Sequence, residues 1–136
     1  MPCRFFEPLR PVGRPRQVTA RMPLIEEYEG VCRAGATPMD APLDLRFACC
    51  NHGNSRGRCP HFPLGEARGC LRYTVAARSS SEIELMVIEE SDYAPAEWRP
   101  VHYFISQESL EPEIADLCTR AQLVAFCRSF LRRFPN

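Results

Sequence analysis

Cys49-Cys50-Asn51-His52-Gly53-Asn54-Ser55-Arg56-Gly57-Arg58-Cys59-Pro60-His61-Phe62-Pro63 is the stretch around which the front half of this 136-residue chain is organised. It holds three of the eight cysteines, with Cys32 upstream and Cys70 downstream. A segment so rich in Gly, Pro and Asn has too few apolar neighbours to bury thiols as packing material. The cysteines therefore read as metal ligands or disulfide partners, and the compartment decides between the two.

Prolines and charges interrupt the opening residues Met1-Pro2-Cys3-Arg4-Phe5-Phe6-Glu7-Pro8, which lack the apolar run of a signal peptide. No window approaches the roughly eighteen apolar residues of a membrane helix. The expectation is a cytoplasmic, reduced setting away from membranes, where clustered thiols bind metal. Their spacing is Cys32-x16-Cys49-Cys50-x8-Cys59-x10-Cys70. With the adjacent pair counted as one position, four positions result, as a [4Fe-4S] cluster or a structural zinc requires. Zinc ribbons use Cys-x2-Cys knuckles, and this chain has none. A cubane accepts single cysteines from separated loops. Spacing thus favours iron–sulfur on Cys32, Cys49, Cys59 and Cys70, with zinc the alternative cofactor. Arg56 and Arg58 would offset the negative charge of a thiolate-bound cluster.

A competing constellation uses the repeated Cys-x-His of Cys50-Asn51-His52 and Cys59-Pro60-His61, a compact Cys2His2 zinc site. It leaves Cys32, Cys49 and Cys70 unexplained, so Cys50, His52 and His61 stand as alternate ligands. Cys118 and Cys127, nine residues apart on one helix and hence on opposite faces, read as core thiols. Cys3 has no assigned partner. The run Cys49-Cys50 followed by Cys59-Pro60-His61-Phe62-Pro63 resembles the YkgJ-type zinc- or iron-chelating cysteine-cluster proteins. That resemblance implies chelation by Cys49, Cys50 and Cys59 and specifies no reaction. The opening Cys-x-x-Cys of those proteins is absent, and Pro60 stands where they carry an arginine.

Segments on either side of this region have clearer periodicity. Leu43-Asp44-Leu45-Arg46-Phe47-Ala48-Cys49 alternates with period two and predicts a strand that turns Cys49 inward and Cys50 outward. Leu71–Val75, Ile83–Ile88 and Val101–Ile105 predict antiparallel strands, with Ser79-Ser80-Ser81 as a hairpin connection. Trp98 falls in a Pro-containing loop. From Glu111 onward, Ile114, Leu117, Ala121 and Val124 form a helical stripe, with Pro112 in the first turn and Arg132 and Arg133 in the last. The fold class is α+β: a small antiparallel sheet, a C-terminal helix packed on it, and a cysteine-rich, metal-organised loop subdomain. In domain terms, residues 1–23 form a basic Pro-rich arm and 24–136 one small domain. That domain divides into cysteine loops (24–70), strands (71–110) and helix (111–134).

All 17 basic residues are arginine and the net charge is zero, which removes the basic balance of a nucleic-acid binder. Locally the charge is uneven: net +5 over 1–78, −8 over 79–113 and +3 beyond. The arm contains Pro8-Leu9-Arg10-Pro11, with polyproline-ligand spacing. It also contains Gly13-Arg14-Pro15-Arg16, which resembles the centre of an AT-hook with Val12 in place of an arginine. A plain solvated arm is the preferred reading. No phosphate loop, dinucleotide fingerprint or nucleophile elbow is present, and nothing orders Cys59, a histidine and a carboxylate into a triad. The sequence thus describes a small metalloprotein, without assigned catalysis, whose centre is structural, redox or sensory and serves a protein or redox partner. The alternative is a zinc-stabilised module binding protein or nucleic acid through the arm.

Overall fold

The computed structural model describes residues 1–13, 22–53, 55–66, 68–92 and 94–135. Two antiparallel sheets and a C-terminal helix make up the fold, which is α+β. Three short strands, β1 (Phe6–Pro11), β2 (Tyr28–Cys32) and β3 (Met39–Asp40), form the first sheet in that order. The second is a meander of β4 (Arg68–Arg78), β5 (Glu82–Ser91), β6 (Ala94–Phe104) and β7 (Ser109–Glu111). Among the described residues no helix is long and apolar enough to cross a membrane.

The meander follows from its alternation. Ile83, Leu85 and Val87 of β5 face Tyr103, Val101 and Arg99 of β6 in register, and Leu71 and Tyr73 of β4 lie on the same side. All but Arg99 are buried. They pack with Ile114 and with Leu123, Phe126 and Cys127 of the terminal helix. Ser79 closes the β4–β5 turn: its Oγ accepts from the Ser81 and Glu82 amides at 3.2 and 3.1 Å. The strands run longer than the apolar alternation alone indicates. Residues Ala94–Pro100 of β6 are exposed throughout, Trp98 included, and so carry no hydrophobic pattern. Pro95 and Pro100 are tolerated there because β7 pairs only with His102–Phe104, which leaves that stretch a sheet edge.

The terminal helix, α2 (Leu117–Arg133), starts later than its apolar stripe suggests. Glu111 is still in β7, and Asp116 is the cap, its Oδ2 accepting from the Thr119 amide at 2.9 Å. Cys118 and Cys127 are both buried along it, as core thiols.

Two local readings are corrected. Leu43–Cys49 is not a strand: Leu43–Leu45 form a helical turn, α1, that runs into a π-helix over Arg46–Asn51. Alternation was a weak guide over seven residues that no other strand pairs with. Asn51, fully buried, supplies the alternative. Its Nδ2 donates to the Arg46 carbonyl at 3.0 Å within the widened turn. The same amide accepts from the Tyr28 N–H (2.8 Å) and donates to the Tyr28 carbonyl (2.9 Å), replacing a strand neighbour for β2. Nor are the first residues a free arm. Phe6–Pro11 is strand β1, registered from Phe6↔Cys32 to Pro11↔Tyr28 with a bulge at Leu9, so Pro8-Leu9-Arg10-Pro11 lies within the sheet. Gly30 permits the contact, because a Cβ there would fall 2.0 Å from the Glu7 carbonyl oxygen. Most of the AT-hook-like motif, Arg14 to Arg16, lies outside the described residues.

Gln122 ties these parts together. Fully buried on α2, it donates to the carbonyls of Cys3 (2.7 Å) and Phe6 (2.8 Å) and accepts from the Tyr73 hydroxyl (2.7 Å). Near the helix end, Glu26 accepts from Ser129 (2.7 Å) and from Arg132 (2.7 Å). Burial pushes the Glu26 carboxyl up, but Ser129, Arg132 and Arg133 outweigh it and leave the group below its usual value.

Gln122→Met preserves volume but strands the Phe6 carbonyl and the Tyr73 hydroxyl, while the Cys3 carbonyl keeps the Phe6 amide. It should cost about 2 kcal/mol at roughly one per orphaned group, read as a lower urea midpoint; a loss under about 0.5 kcal/mol would remove Gln122 from this role. Because the Glu26 carboxyl is depressed on folding, its contribution is present above the unfolded value near 4.5 and is lost as pH falls through the lower folded value. Glu26→Gln should flatten that acid limb in a pH–stability series.

Candidate metal centre

Five cysteines from four separate segments line one small cavity: Cys3, Cys32, Cys49, Cys50 and Cys59, together with Phe5, Phe6, Ala34, Ser55 and Phe62. The cavity measures about 20 Å³. Each thiol is delivered by a distinct backbone device. Cys32 ends β2, opposite Phe6 of β1 and Met39 of β3. Cys49 and Cys50 sit in the π-helix, which closes as the Gly53 amide donates to the Cys49 carbonyl at 3.0 Å. Successive residues of a helical turn are roughly 100° apart rather than opposed, so both thiols reach the same cavity, contrary to the strand reading. Cys59 follows a turn in which the Ser55 carbonyl accepts from the amides of Arg58 (3.1 Å) and Cys59 (2.7 Å). Phe62 then packs edge-on against Phe5, centroids 5.5 Å apart, as an apolar side of the cavity.

Cys3 is the member that sequence reasoning missed. Its amide donates to the Cys50 carbonyl at 3.0 Å, and its carbonyl is held by the Phe6 amide and by Gln122. Twenty-eight residues separate Cys3 from the next cysteine, so spacing carries no signal. The only sequence hint was the pair Phe5-Phe6 beside it, too apolar for a solvated arm.

Of the four expected ligands, Cys32, Cys49 and Cys59 are brought together. Cys70 is not among the lining residues. Its backbone bridges to Cys3, but its thiol donates to Glu90 Oε1 at 3.3 Å and lies 3.9 Å from the Met1 sulfur. Burial and then the Glu90 carboxylate push that thiol up to about 12. Neither histidine of the Cys2His2 alternative lines the cavity. His52 packs on Phe47 at 4.7 Å between ring centroids, and its buried Nε2 has no hydrogen-bond partner. Burial, reinforced by the nearby N-terminal amine, holds its pKa down. His61 is exposed. Arg58 is exposed and favours the Cys49 thiolate, whereas Arg56 reaches Asp92 at 2.8 Å.

The thiols feel one another. Cys50 is pushed up to about 12, by burial first and then by Cys3, Cys32, Cys59 and Cys49. Cys49 is raised by burial and by Cys59. Burial also raises Cys3, while the Ser55 hydroxyl and the Phe5 N–H beside it act in the opposite direction. Such a group of thiols cannot ionise together without a cation among them. Among the described residues, however, no three Cys, His, Asp or Glu side chains stand ready-set around a single ion.

Gly53 seats the N-terminal wall. Its φ of +77° is in the left-handed region, and a Cβ would lie 1.8 Å from the Met1 carbonyl oxygen. Gly53→Ala should therefore displace residues 1–3 and free the Cys3 thiol, at a cost of about 1–3 kcal/mol from backbone strain alone. Alkylation mapped by mass spectrometry should show Cys3 labelling at least several-fold faster than in the parent; unchanged labelling would refute the link between Gly53 and the seat of Cys3.

Comparison with known proteins yields no match: no family model fits the chain, and no curated protein or solved structure is similar to it.

Proposed function

We propose that this protein is a small metalloprotein that holds a [4Fe-4S] cluster in the cysteine cavity, ligated by Cys3, Cys32, Cys49 and Cys59. The observation that carries the reading is the convergence of five thiols from four segments on one small cavity. A cubane distributes its thiolates over four irons and accepts single cysteines from separate segments.

The surroundings suit such a group. Phe5, Phe6 and Phe62 supply the apolar lining that keeps water from an iron–sulfur centre. Arg58 lies close enough to offset part of its negative charge. Cys32 and Cys59 are only half-buried, which puts one side of the cavity at the surface, where electrons can be exchanged with a protein partner. The resemblance of Cys49-Cys50 and Cys59-Pro60-His61-Phe62-Pro63 to chelating cysteine-cluster proteins points the same way. The bound group would also join the β1–β2 sheet to the π-helix and the Cys59 loop, so its removal should loosen residues 30–66 before the meander and α2.

Anaerobic reconstitution with ferrous iron and sulfide tests this. The parent should develop a brown colour with absorbance near ~400 nm and about four irons per chain. Cys32→Ser, Cys49→Ser and Cys59→Ser should each lose most of it, while Cys70→Ser, His52→Ala and His61→Ala retain it. One equivalent of zinc without colour would replace the cluster with a structural zinc. Full loading of Cys59→Ser would overturn both.

A further inference from the structure

Residues 95–101 of β6 form a sheet edge that β7 leaves open, since β7 pairs only with His102–Phe104. Exposed edges are ordinarily blunted by charge, proline or a covering segment. Here Pro95 and Pro100 stand toward the two ends, and between them is the chain's single tryptophan, Trp98, 71 % exposed. Proline lacks an N–H, so on an edge strand its nitrogen faces outward. Backbone groups alternate in direction along a strand. Trp98, two residues from Pro100, therefore turns its N–H and C=O to the same open side.

The side chains divide by face. Trp98 and Pro100 lie opposite Ile88 and Met86 of β5, on the face turned away from α2. Glu97 and Arg99 lie opposite Glu89 and Val87, on the other face. Like charges directly across a sheet repel, and Arg4 already engages Glu89. Among the described residues neither Glu97 nor Arg99 has an ion-pair partner. One neighbour would answer both charges.

We propose that β6 pairs antiparallel with β6 of a second copy of this chain, about a two-fold axis at Trp98, joining two meanders into one sheet. In that register the two Trp98 residues lie opposite and exchange N–H and C=O. Glu97 of each copy then faces Arg99 of the other, a self-complementary charge pattern that a two-fold interface requires. On the opposite face the tryptophans meet between the half-buried Ile88 of each copy. The length fits as well. One step beyond Pro95, Ala94 would meet His102 of the second copy, a position that β7 already occupies. The open stretch thus ends where the pairing has to end. None of these residues lines the cysteine cavity, so the proposal goes beyond the metal reading and does not depend on it.

The test uses the full chain under reducing conditions. Sedimentation mass and Trp98 emission are followed from about 1 μM to about 1 mM. The parent's mass should double, and its emission should move to shorter wavelength over the same range, as water leaves the indole. Glu97→Arg and Arg99→Glu should each weaken dimerisation at least about 10-fold, because like charges then face one another on both sides of the axis. The double variant should recover the parent affinity to within about 3-fold, and a mixture of the two single variants should associate more tightly than either alone. A parent that stays monomeric throughout overturns the proposal. So does a dimer whose affinity neither single variant changes, which would place the interface elsewhere. A monomer whose emission shifts only when an unrelated extended peptide is added would give the edge to a foreign strand and overturn it too. Since mass and emission are read without metal, none of these failures touches the metal reading.

Discussion

Two buried side-chain amides hold this fold together, because each satisfies backbone groups that the small sheets leave unpaired. Asn51 stands in for a strand beside Tyr28 and at the same time closes the π-helix through the Arg46 carbonyl. Gln122 reaches from α2 to the carbonyls of Cys3 and Phe6 while receiving the Tyr73 hydroxyl. Buried polar groups are tolerated only when all are paired, and here the pairing itself sets position. Asn51 seats the segment that carries Cys49 and Cys50, and Gln122 seats Cys3. The cysteine cavity thus depends on two residues that do not touch it.

What was legible in the sequence follows from how each element earns its stability. The meander was readable where one face is buried: Ile83, Leu85, Val87, Val101 and Tyr103 alternate because the sheet has a dry side against α2. The same rule failed over Ala94–Pro100, exposed on both faces and therefore patternless. It misled over Leu43–Cys49, where a period of two occurs without a neighbouring strand and local hydrogen bonding by Asn51 prevails. The start of α2 was misplaced because Asp116, a capping residue, was counted inside a helix that it begins.

The cysteine site shows the same division. Spacing singled out Cys32, Cys49 and Cys59, and these three thiols line the same cavity. Cys70 met the same criterion but lies in a strand where Glu90 provides its partner. Cys3 could not be found, because only the β1–β2 pairing and the Gln122 contact bring it across from the chain start. Proline and arginine content made residues 1–13 look solvated, yet two prolines on an edge strand and arginines paired with Glu89 and Glu29 are compatible with a sheet.

The dependence of Cys3 on Gln122 has a consequence for biosynthesis. Cys32, Cys49, Cys50 and Cys59 leave the ribosome well before residue 122, whereas Cys3 lacks the Gln122 contact to its carbonyl until α2 has emerged and folded. Until then the wall that carries Cys3 is incompletely fixed. The cavity is in this way completed late in folding, and a chain whose C-terminal helix has not docked lacks the contact that fixes its N-terminal wall.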